Sequence, residues 1–456
     1  MNPPQTMLRT VGAAACLAAL GLCVWWLVHP PAWQGAWTWY VLMGSAWVLF
    51  ACGAWLVRGV PRKAAVALII LGAIGLPLAA GFAPPRTSDD LYRYIWDGRV
   101  QADGIGPYRY VPAAPELVHL RDDFLWPQHS TWCVPATASQ GQPDVTQGCS
   151  LINRPTVPTI YPPVAQAFFL AVQALSPSGS QEGPMQVAAV LAVLAVAILL
   201  VIVLPKTGAD PRLAALWAWC PLVAIEAGNN AHLDVISTLL TVAALLVAGR
   251  AATWRGTAAG AALLGLAIAT KIIPVVAGPS MLRRRPLLVA GTALLTVILV
   301  YLPHVLGTGA GVLGYLPDYL TGEGYDTGSR FALLLFLPSS LRLGTAVVIL
   351  AATAAYVFWH SDPDRPWRSA TIMAGVMLLV ATPGYSWYTI LLVALAAMSD
   401  RPEWLAVVAA GYVAQYYGNL HLEIHQSLQI GYGVAALVVV ATTLLRQRPL
   451  WKTRTA

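Results

Sequence analysis

Charged side chains are scarce in this sequence of 456 residues. Lys, Arg, Asp and Glu make up 10% of the chain, whereas a soluble domain typically carries about 25%. Hydrophobic residues make up 57%, and the mean hydropathy is +0.64. This composition excludes a soluble globular protein. The net charge of +7 does not indicate nucleic-acid binding, because the Lys and Arg residues occupy short turns between apolar runs.

Cysteine is also rare, and the sequence contains no nucleotide-binding glycine loop. Four of the six cysteines lie in apolar runs, where a thiol is usually a small packing residue. Cys133 and Cys149 lie sixteen residues apart in a polar loop, and they are predicted to form a disulfide if that loop is extracytoplasmic. Two free surface thiols are the alternative. A zinc site is disfavoured because no second Cys or His pair accompanies them.

Long apolar runs fill most of the chain, and many approach the roughly 20 residues that cross a bilayer. They predict an all-α integral membrane protein, a polytopic bundle of about 12–14 transmembrane helices. The run 257–282 is interrupted at Lys271 and Pro274, which predicts a bent hairpin with Lys271 near its outer tip. Basic turns belong on the cytoplasmic side, so we expect a multi-pass plasma-membrane protein with loop 83–160 outside. The predicted units are an N-terminal hairpin (1–63), a core (64–400), and C-terminal helices with a basic tail (401–456).

The first long polar stretch, residues 87–110, is unusually rich in acids for this chain. Thr87 followed by Asp90 fits a capping box, which predicts a helix from Asp89 to about Val100 with Thr87 as its N-cap. Carboxylates at a helix start are often only caps. Here there are two, and an ionised carboxylate at a membrane surface can also accept a proton from a hydroxyl. Helical spacing places four side chains on one face: Asp90, Arg93, Tyr94 and Asp97.

Several segments resemble a known enzyme family. The runs SDDLYRYIWDGRVQADGIGPYRYVPAAPEL and INRPTVPTIYPPVAQ are similar to the first outer loop of bacterial polyprenol-phosphate-mannose-dependent mannosyltransferases. Weaker similarity is found at AGNNAHLD, ATKIIP and TPGYSWY. The resemblance implies a helical bundle of the GT-C superfold, with a long helical catalytic loop on the extracytoplasmic side. It also implies a lipid-phosphate sugar as donor, and an essential acidic residue at Asp89 or Asp90, with a slight preference for Asp89.

Further candidate residues follow from the chemistry that this resemblance implies. A departing polyprenyl phosphate is stabilised by cations, and the predicted phosphate-binding residues are Arg93, Arg154, Lys271 and Arg330. For the last two, snorkelling and interfacial anchoring are the alternatives. The residues predicted to contact sugar or acceptor are Asp97, Arg99, Tyr161, His232, Asp234, Tyr385, Trp387 and Tyr388. Helix capping by Asp234 and an aromatic membrane belt at residues 385–388 are the alternatives.

The predicted reaction is an inverting transfer of mannose from a polyprenyl-phosphate-mannose donor to a glycan or glycolipid acceptor, with an Asp as general base. No cofactor, metal or nucleic-acid partner is expected, and membrane lipids surround the protein. One alternative is an enzyme that uses another lipid-phosphate-linked sugar. The other is a polytopic lipid or sugar transporter, which the absence of an internal repeat disfavours.

Overall fold

The computed structural model describes residues 3–30, 36–127, 134–135, 149–415 and 423–447. Its N-terminal part is a set of three long apolar helices. Helix α1 packs against α2 and α3, and each is long enough to cross a bilayer. A basic turn joins α2 to α3, as the sequence predicts. The bounds are α1 (Pro3–Val28), α2 (Ala36–Val57) and α3 (Arg62–Ala80).

The polar loop after α3 contains helix α4, which forms a layer with the following helix α5. Helix α4 packs against α5, and the two approach closely at Gly98, where a Cβ would lie 2.8 Å from the Phe169 carbonyl oxygen. Because α5 is only 13 residues long, it is too short for an ordinary crossing, in agreement with the prediction. The bounds are α4 (Asp90–Ala102), β1 (Val134–Pro135), β2 (Cys149–Ser150), which pairs antiparallel with β1, and α5 (Pro163–Leu175).

The next segment contains a sharp break that shapes the site. A π-helix, Val223–Asn229, is bent by 114° from the following helix, α8 (Asp234–Gly249). The π-helix packs against α3, and a Cβ at Gly228 would lie 2.9 Å from the Pro77 Cα atom. Non-helical backbone at membrane depth is tolerated where protein surrounds it. The elements before the break are α6 (Gly183–Val203) and α7 (Ala215–Ala218).

The C-terminal half surrounds a fully buried short helix. Every apolar residue of α15 from Ile390 to Met398 is buried, which marks the centre of the bundle. In α11 and α13, by contrast, only 11% of the most apolar stretch is buried, so these helices lie at the periphery. The bounds are α9 (Trp254–Ile268), α10 (Gly278–Met281), α11 (Pro286–Thr308), α12 (Leu316–Gly322), α13 (Ser339–His360), α14 (Pro366–Ala381), α15 (Ile390–Ser399), α16 (Leu405–Gln415) and α17 (Ile424–Gln447).

The protein is an all-α polytopic membrane protein, although its long spanning helices are fewer than predicted. In the described part of the chain, seven helices are long and apolar enough to cross a membrane, or eight if the bent pair counts as one span. Several other predicted crossings fall on short or broken helices. The run 213–228, for example, is divided between the four-residue α7 and the π-helix. Hydropathy alone counts apolar residues and does not show where a helix breaks, which explains the difference from 12–14.

The bent hairpin at Lys271 is present as predicted. Helix α9 ends at Ile268, a 3₁₀ turn begins at Ile273, and Lys271 lies between them. At the far end of the hairpin, Arg284 forms an ion pair with Asp364, with 2.7 Å between the nitrogen and oxygen atoms. Lys271 therefore lies at the membrane face opposite this basic turn.

Candidate active site

Two asparagines at the end of the π-helix accept hydrogen bonds from the backbone just before α4. The Arg86 backbone N–H donates to both Asn229 Oδ1 and Asn230 Oδ1, each at 2.8 Å, and the Thr87 N–H donates to Asn230 Oδ1 at 3.0 Å. The Thr87 hydroxyl donates to Glu226 Oε2 at 2.7 Å. The prediction of Thr87 as helix N-cap is therefore wrong, because α4 begins at Asp90 and the Thr87 side chain is used in a long-range contact.

Asp90 points into a polar cluster, whereas its neighbour Asp89 does not. Asp90 Oδ1 accepts a hydrogen bond from Asn153 at 2.7 Å, and Oδ2 lies 3.8 Å from His232 Nδ1. The Asp89 side chain is exposed and caps no backbone N–H of the helix. Loss of water around the carboxylate and then the Asp90 charge raise the pKa of Asp89, and solvent weakens both effects because the side chain is exposed. The geometry thus favours Asp90 over Asp89 as the reactive carboxylate.

His232 lies between two carboxylates. It is fully buried, and its ring stacks on Trp387 with 4.1 Å between the ring centroids. Its Nε2 atom lies 3.6 Å from Glu226 Oε2, on the side away from Asp90. Neither ring nitrogen has a hydrogen-bond partner. Because catalytic hydrogen bonds are often long before substrate binds, a small approach would connect Asp90, His232 and Glu226.

The predicted cations differ in whether a carboxylate already neutralises them. Lys271 Nζ lies 2.7 Å from Asp234 Oδ2, and Arg330 lies 2.8 Å from Glu323. Arg154 has no carboxylate partner within the described residues. Its guanidinium lies over the rings of two tyrosines, 5.2 Å from the Tyr315 centroid and 5.9 Å from the Tyr319 centroid. Arg154 is therefore the predicted cation with its charge available to an anionic ligand.

Arg93 and Asp97 satisfy each other inside the protein. Both are buried, and Arg93 Nε donates to Asp97 Oδ1 at 2.9 Å. Asp97 Oδ2 also accepts from Thr159 at 2.6 Å and from Gln166 at 2.8 Å. These bonds tie α4 to α5 and to the segment before it. Contacts of Arg93 with phosphate and of Asp97 with acceptor stay predictions.

The aromatic residues of the turn after α14 line the same region. Tyr385 donates to Glu323 at 3.0 Å, and its ring stacks on Trp387. The Tyr388 hydroxyl lies 2.6 Å from that of Tyr319, and Lys271 lies over the Tyr388 ring at 5.1 Å. Trp387 therefore contacts His232, and Tyr388 contacts Lys271. Aromatic residues of a membrane belt would not need such contacts with charged or polar residues of the site.

Two predicted residues, Arg99 and Cys149, lie outside this cluster, whereas Tyr161 lies near Asp90. Tyr161 is buried against Tyr94 and Phe169, in an edge contact of 4.9 Å between the ring centroids with Tyr94. Burial and then the Asp90 carboxylate raise the pKa of Tyr161. Arg99 forms an ion pair with Asp122 at 2.8 Å in a separate cavity, near the other end of α4. Cys149 is disulfide-bonded, and its predicted partner, Cys133, lies outside the described residues.

Backbone strain is concentrated on the segments that carry the site. Arg154, Ala231 and Thr382 have φ of 48°, 49° and 38°, a region that L-residues rarely adopt and β-branched ones least of all. Ala231 precedes His232. The Thr382 hydroxyl donates to the Arg330 carbonyl and holds that segment in place. Such strain persists only where the surrounding structure enforces it, and it is often found at functional sites.

Residues 159–383, just under half of the chain, match the model of Glycosyltransferase family 87. This match indicates a glycosyltransferase. Neither the curated proteins nor the solved structures contain a match to the chain. The matched region includes Glu226, His232 and Lys271, but the acidic pair at 89–90 lies before it. The resemblance of residues 87–158 to the mannosyltransferase loop is thus not covered by this match.

Glu226 is a residue of the candidate site that the sequence analysis did not single out. It is fully buried, and it accepts hydrogen bonds from Thr87, Asn230 and Ser386 at 2.7, 3.1 and 2.7 Å. The sequence contained a signal for this residue, because it lies in the apolar run 213–228. A carboxylate inside a membrane segment has a high free-energy cost and usually indicates a functional position. No group of three or more His, Cys, Asp or Glu able to hold a metal is found among the described residues. The expected independence from metal stays a prediction.

We expect Glu226→Gln to lower kcat of the glycosyltransferase by about 10² with little change in KM, because it replaces the carboxyl group behind His232 with an amide. The measurement is steady-state transfer together with the melting temperature. Ser386→Ala is the matched control, since it removes one bond to Glu226 and keeps the carboxylate. Equal losses in the two variants would assign Glu226 a structural role only.

Proposed function

We propose that this glycosyltransferase moves mannose from polyprenyl-phosphate-mannose to a glycan or glycolipid acceptor. The transfer takes place on the extracytoplasmic face of the plasma membrane, with inversion. The observation that carries the proposal is the position of Asp90, partly exposed beside Asn153 and His232, within a glycosyltransferase. A positioned carboxylate of this kind acts as a general base on an acceptor hydroxyl.

The reaction is a single displacement. Asp90 takes the proton of the acceptor hydroxyl, and the acceptor oxygen attacks C1 of mannose from the face opposite the phosphate. The bond between C1 and the phosphate oxygen breaks, and its electron pair leaves with polyprenyl phosphate. Asn153 holds the Asp90 carboxylate by a hydrogen bond, His232 lies 3.8 Å from it, and Glu226 lies behind His232. Arg154 lies on the same side of the protein and meets the leaving phosphate.

A lipid donor is supported by the location of the site in the bundle. The site is formed where α3 ends, α8 begins and α14 ends, so it lies at one end of the spanning helices. Helices α11 and α13 are peripheral and expose apolar side chains such as Leu306 and Val348. A donor with its chain in the bilayer therefore presents its phosphate at the level of the site.

The extracytoplasmic location is supported by charge. The opposite ends of these helices carry the basic turns, including Arg58, Arg212 and residues 283–285. Basic turns mark the cytoplasmic side. Loop 83–160, with the disulfide-bonded Cys149, then lies in the oxidising compartment.

Mannosyl transfer by the purified protein in detergent tests the proposal. Polyprenyl-phosphate-mannose and GDP-mannose are compared with a panel of mannoside acceptors, and the anomeric configuration of the product is read by NMR. We expect transfer from the lipid donor alone, with inversion and with loss in Asp90→Asn. Faster transfer from GDP-mannose, or from another lipid-linked sugar, would overturn the proposed donor.

We expect Arg154→Gln to lower kcat by about 10²–10³, because the departing phosphate loses its free cation. The measurement is turnover with polyprenyl-phosphate-mannose at saturating acceptor. Arg109→Gln is the matched control, because Arg109 also lies over a tyrosine ring, at 5.2 Å from the Tyr110 centroid, in the same outer loop. A similar loss in both variants would remove Arg154 from the donor site.

A further inference from the structure

Another polar cavity lies at the other end of the bundle from Asp90. Its volume is ≈ 310 Å³, near the lower limit of about 300 Å³ for small-molecule sites. Four guanidinium groups and two carboxylates line it, together with apolar surface from Leu213, Trp367 and Met398. We call it the arginine cavity, defined by Arg58, Arg212, Arg365, Arg368, Asp210 and Asp400.

The chain path shows that the arginine cavity and the reaction site lie at opposite membrane faces. Arg58 lies just before α3, which starts at Arg62 and ends at Ala80, shortly before Asp90. Helix α14 likewise begins beside Arg365 and ends near Arg330. Each of these helices therefore has one end at the arginine cavity and the other at the reaction site.

Two of the four guanidinium groups already have a carboxylate as neighbour. Arg212 donates to the Val60 carbonyl at 2.8 and 2.6 Å and forms an ion pair with Asp210 at 3.2 Å. Arg58 lies 3.8 Å from Asp400, a distance that is long for a hydrogen bond. The cavity thus contains two more positive than negative side chains.

Arg365 and Arg368 supply the unbalanced charge. In the ranges that the structure describes, neither side chain has a hydrogen bond or an ion pair. Arg365 directly precedes α14 and Arg368 lies in its first turn, and the N-terminal end of this 16-residue helix carries partial positive charge. Trp367 and Arg368, which line the cavity, are in the first turn of that helix. Charge, helix dipole and unpaired guanidinium groups all favour an anion here.

We propose that the arginine cavity binds the phosphate group of an anionic phospholipid in the leaflet opposite the reaction site. Guanidinium groups bind phosphate oxygens through two parallel hydrogen bonds, in a bidentate geometry. Basic pockets between membrane helices on the cytoplasmic side bind acidic lipid headgroups. The apolar lining by Leu213, Trp367 and Met398 accommodates the glycerol part of the lipid. A bound lipid stabilises the bundle by joining the α2–α3 turn to the start of α14.

The proposal is tested on the full chain in an uncharged detergent, with the melting temperature as the readout. The probes are dioctanoyl phosphatidylglycerol, dioctanoyl phosphatidylcholine and inorganic phosphate. We expect phosphatidylglycerol to raise the melting temperature in a saturable way by several degrees, and phosphatidylcholine to have no effect. If phosphate alone gives the full rise, the phosphate site is confirmed and the lipid source is overturned.

Paired variants show whether the arginine cavity is responsible. Arg365→Gln with Arg368→Gln should abolish the rise, and Arg368→Gln alone should weaken it, so that the test does not depend on the double variant folding. Arg62→Gln with Lys63→Gln removes two exposed charges outside the cavity and should retain the rise. A rise that persists in the cavity variants, an equal rise with phosphatidylcholine, or no rise with any anion would overturn the proposal.

Discussion

Replacing Asp90 by Asn is expected to lower kcat by about 10²–10⁴, the usual contribution of a positioned general base. An Asn side chain can still accept the hydrogen bond from Asn153, so we expect the melting temperature to change little. The measurement is single-turnover transfer from polyprenyl-phosphate-mannose, which reports on the chemical step directly. Retention of wild-type turnover in this variant would exclude Asp90 as the base.

Asp89→Asn is the matched control for Asp90→Asn, because the two acids are adjacent and chemically identical. Asp89 is exposed and lies outside the Asn153 and His232 contacts. We therefore expect a loss of less than about tenfold, since only a neighbouring charge is removed. If the two results were reversed, the proton would be taken on the solvent side of α4, and His232 and Glu226 would have no role in holding the base.

Replacing Asp97 by Ala is expected to destabilise the protein by about 3–5 kcal/mol, the cost of leaving one member of a buried ion pair uncompensated. Arg93 would keep only a 3.3 Å bond to the Val157 carbonyl, Thr159 would lose its acceptor, and the Gln166 side-chain nitrogen would keep only its bond to Thr159. The measurement is the free energy of unfolding in mixed micelles. Unchanged stability with lost transfer would instead support the predicted contact of Asp97 with the acceptor.

Asp122→Asn provides the control for Asp97→Ala, because Arg99, the partner of Asp122, lies on the same helix as Asp97. It breaks the ion pair of Arg99, in which 43% of the Asp122 side chain is exposed. Ion pairs with this exposure typically contribute about 0–1 kcal/mol. A loss as large as that in Asp97→Ala would mean that the α4 layer is held by its outer contacts and not by the buried ones.

Much of the architecture could be predicted from local sequence features. The scarcity of charge requires a membrane protein, because a chain with so many long apolar runs buries them in lipid. The polar stretch at 87–110 predicts a helix, and α4 begins within one residue of the expected start. The break at Lys271 follows from a charge and a proline inside an apolar run. The number of spanning helices could not be predicted correctly, since a hydropathy profile does not show the π-helix or the short α7.

The candidate site could be predicted only in part. Asp90, Arg154, His232 and Lys271 were all expected from the sequence, and the structure brings them together at one end of the bundle. Arg99 was expected there as well, but it lies in another cavity with Asp122. Its distance from the cluster follows from the length of α4, because a residue in the last turn lies at the other end of the helix from Asp90.

The sequence by itself determined the class of protein and the stretch that carries its acids. Only the tertiary structure distinguished Asp90 from Asp89, revealed Glu226 behind His232, and showed Arg154 without a carboxylate partner in the part of the chain that it describes. The physical reason is that composition and periodicity are local. The direction of a side chain and the neutralisation of a charge depend instead on residues far away in the chain, such as Asn153, His232 and Asp234, which packing alone brings into contact.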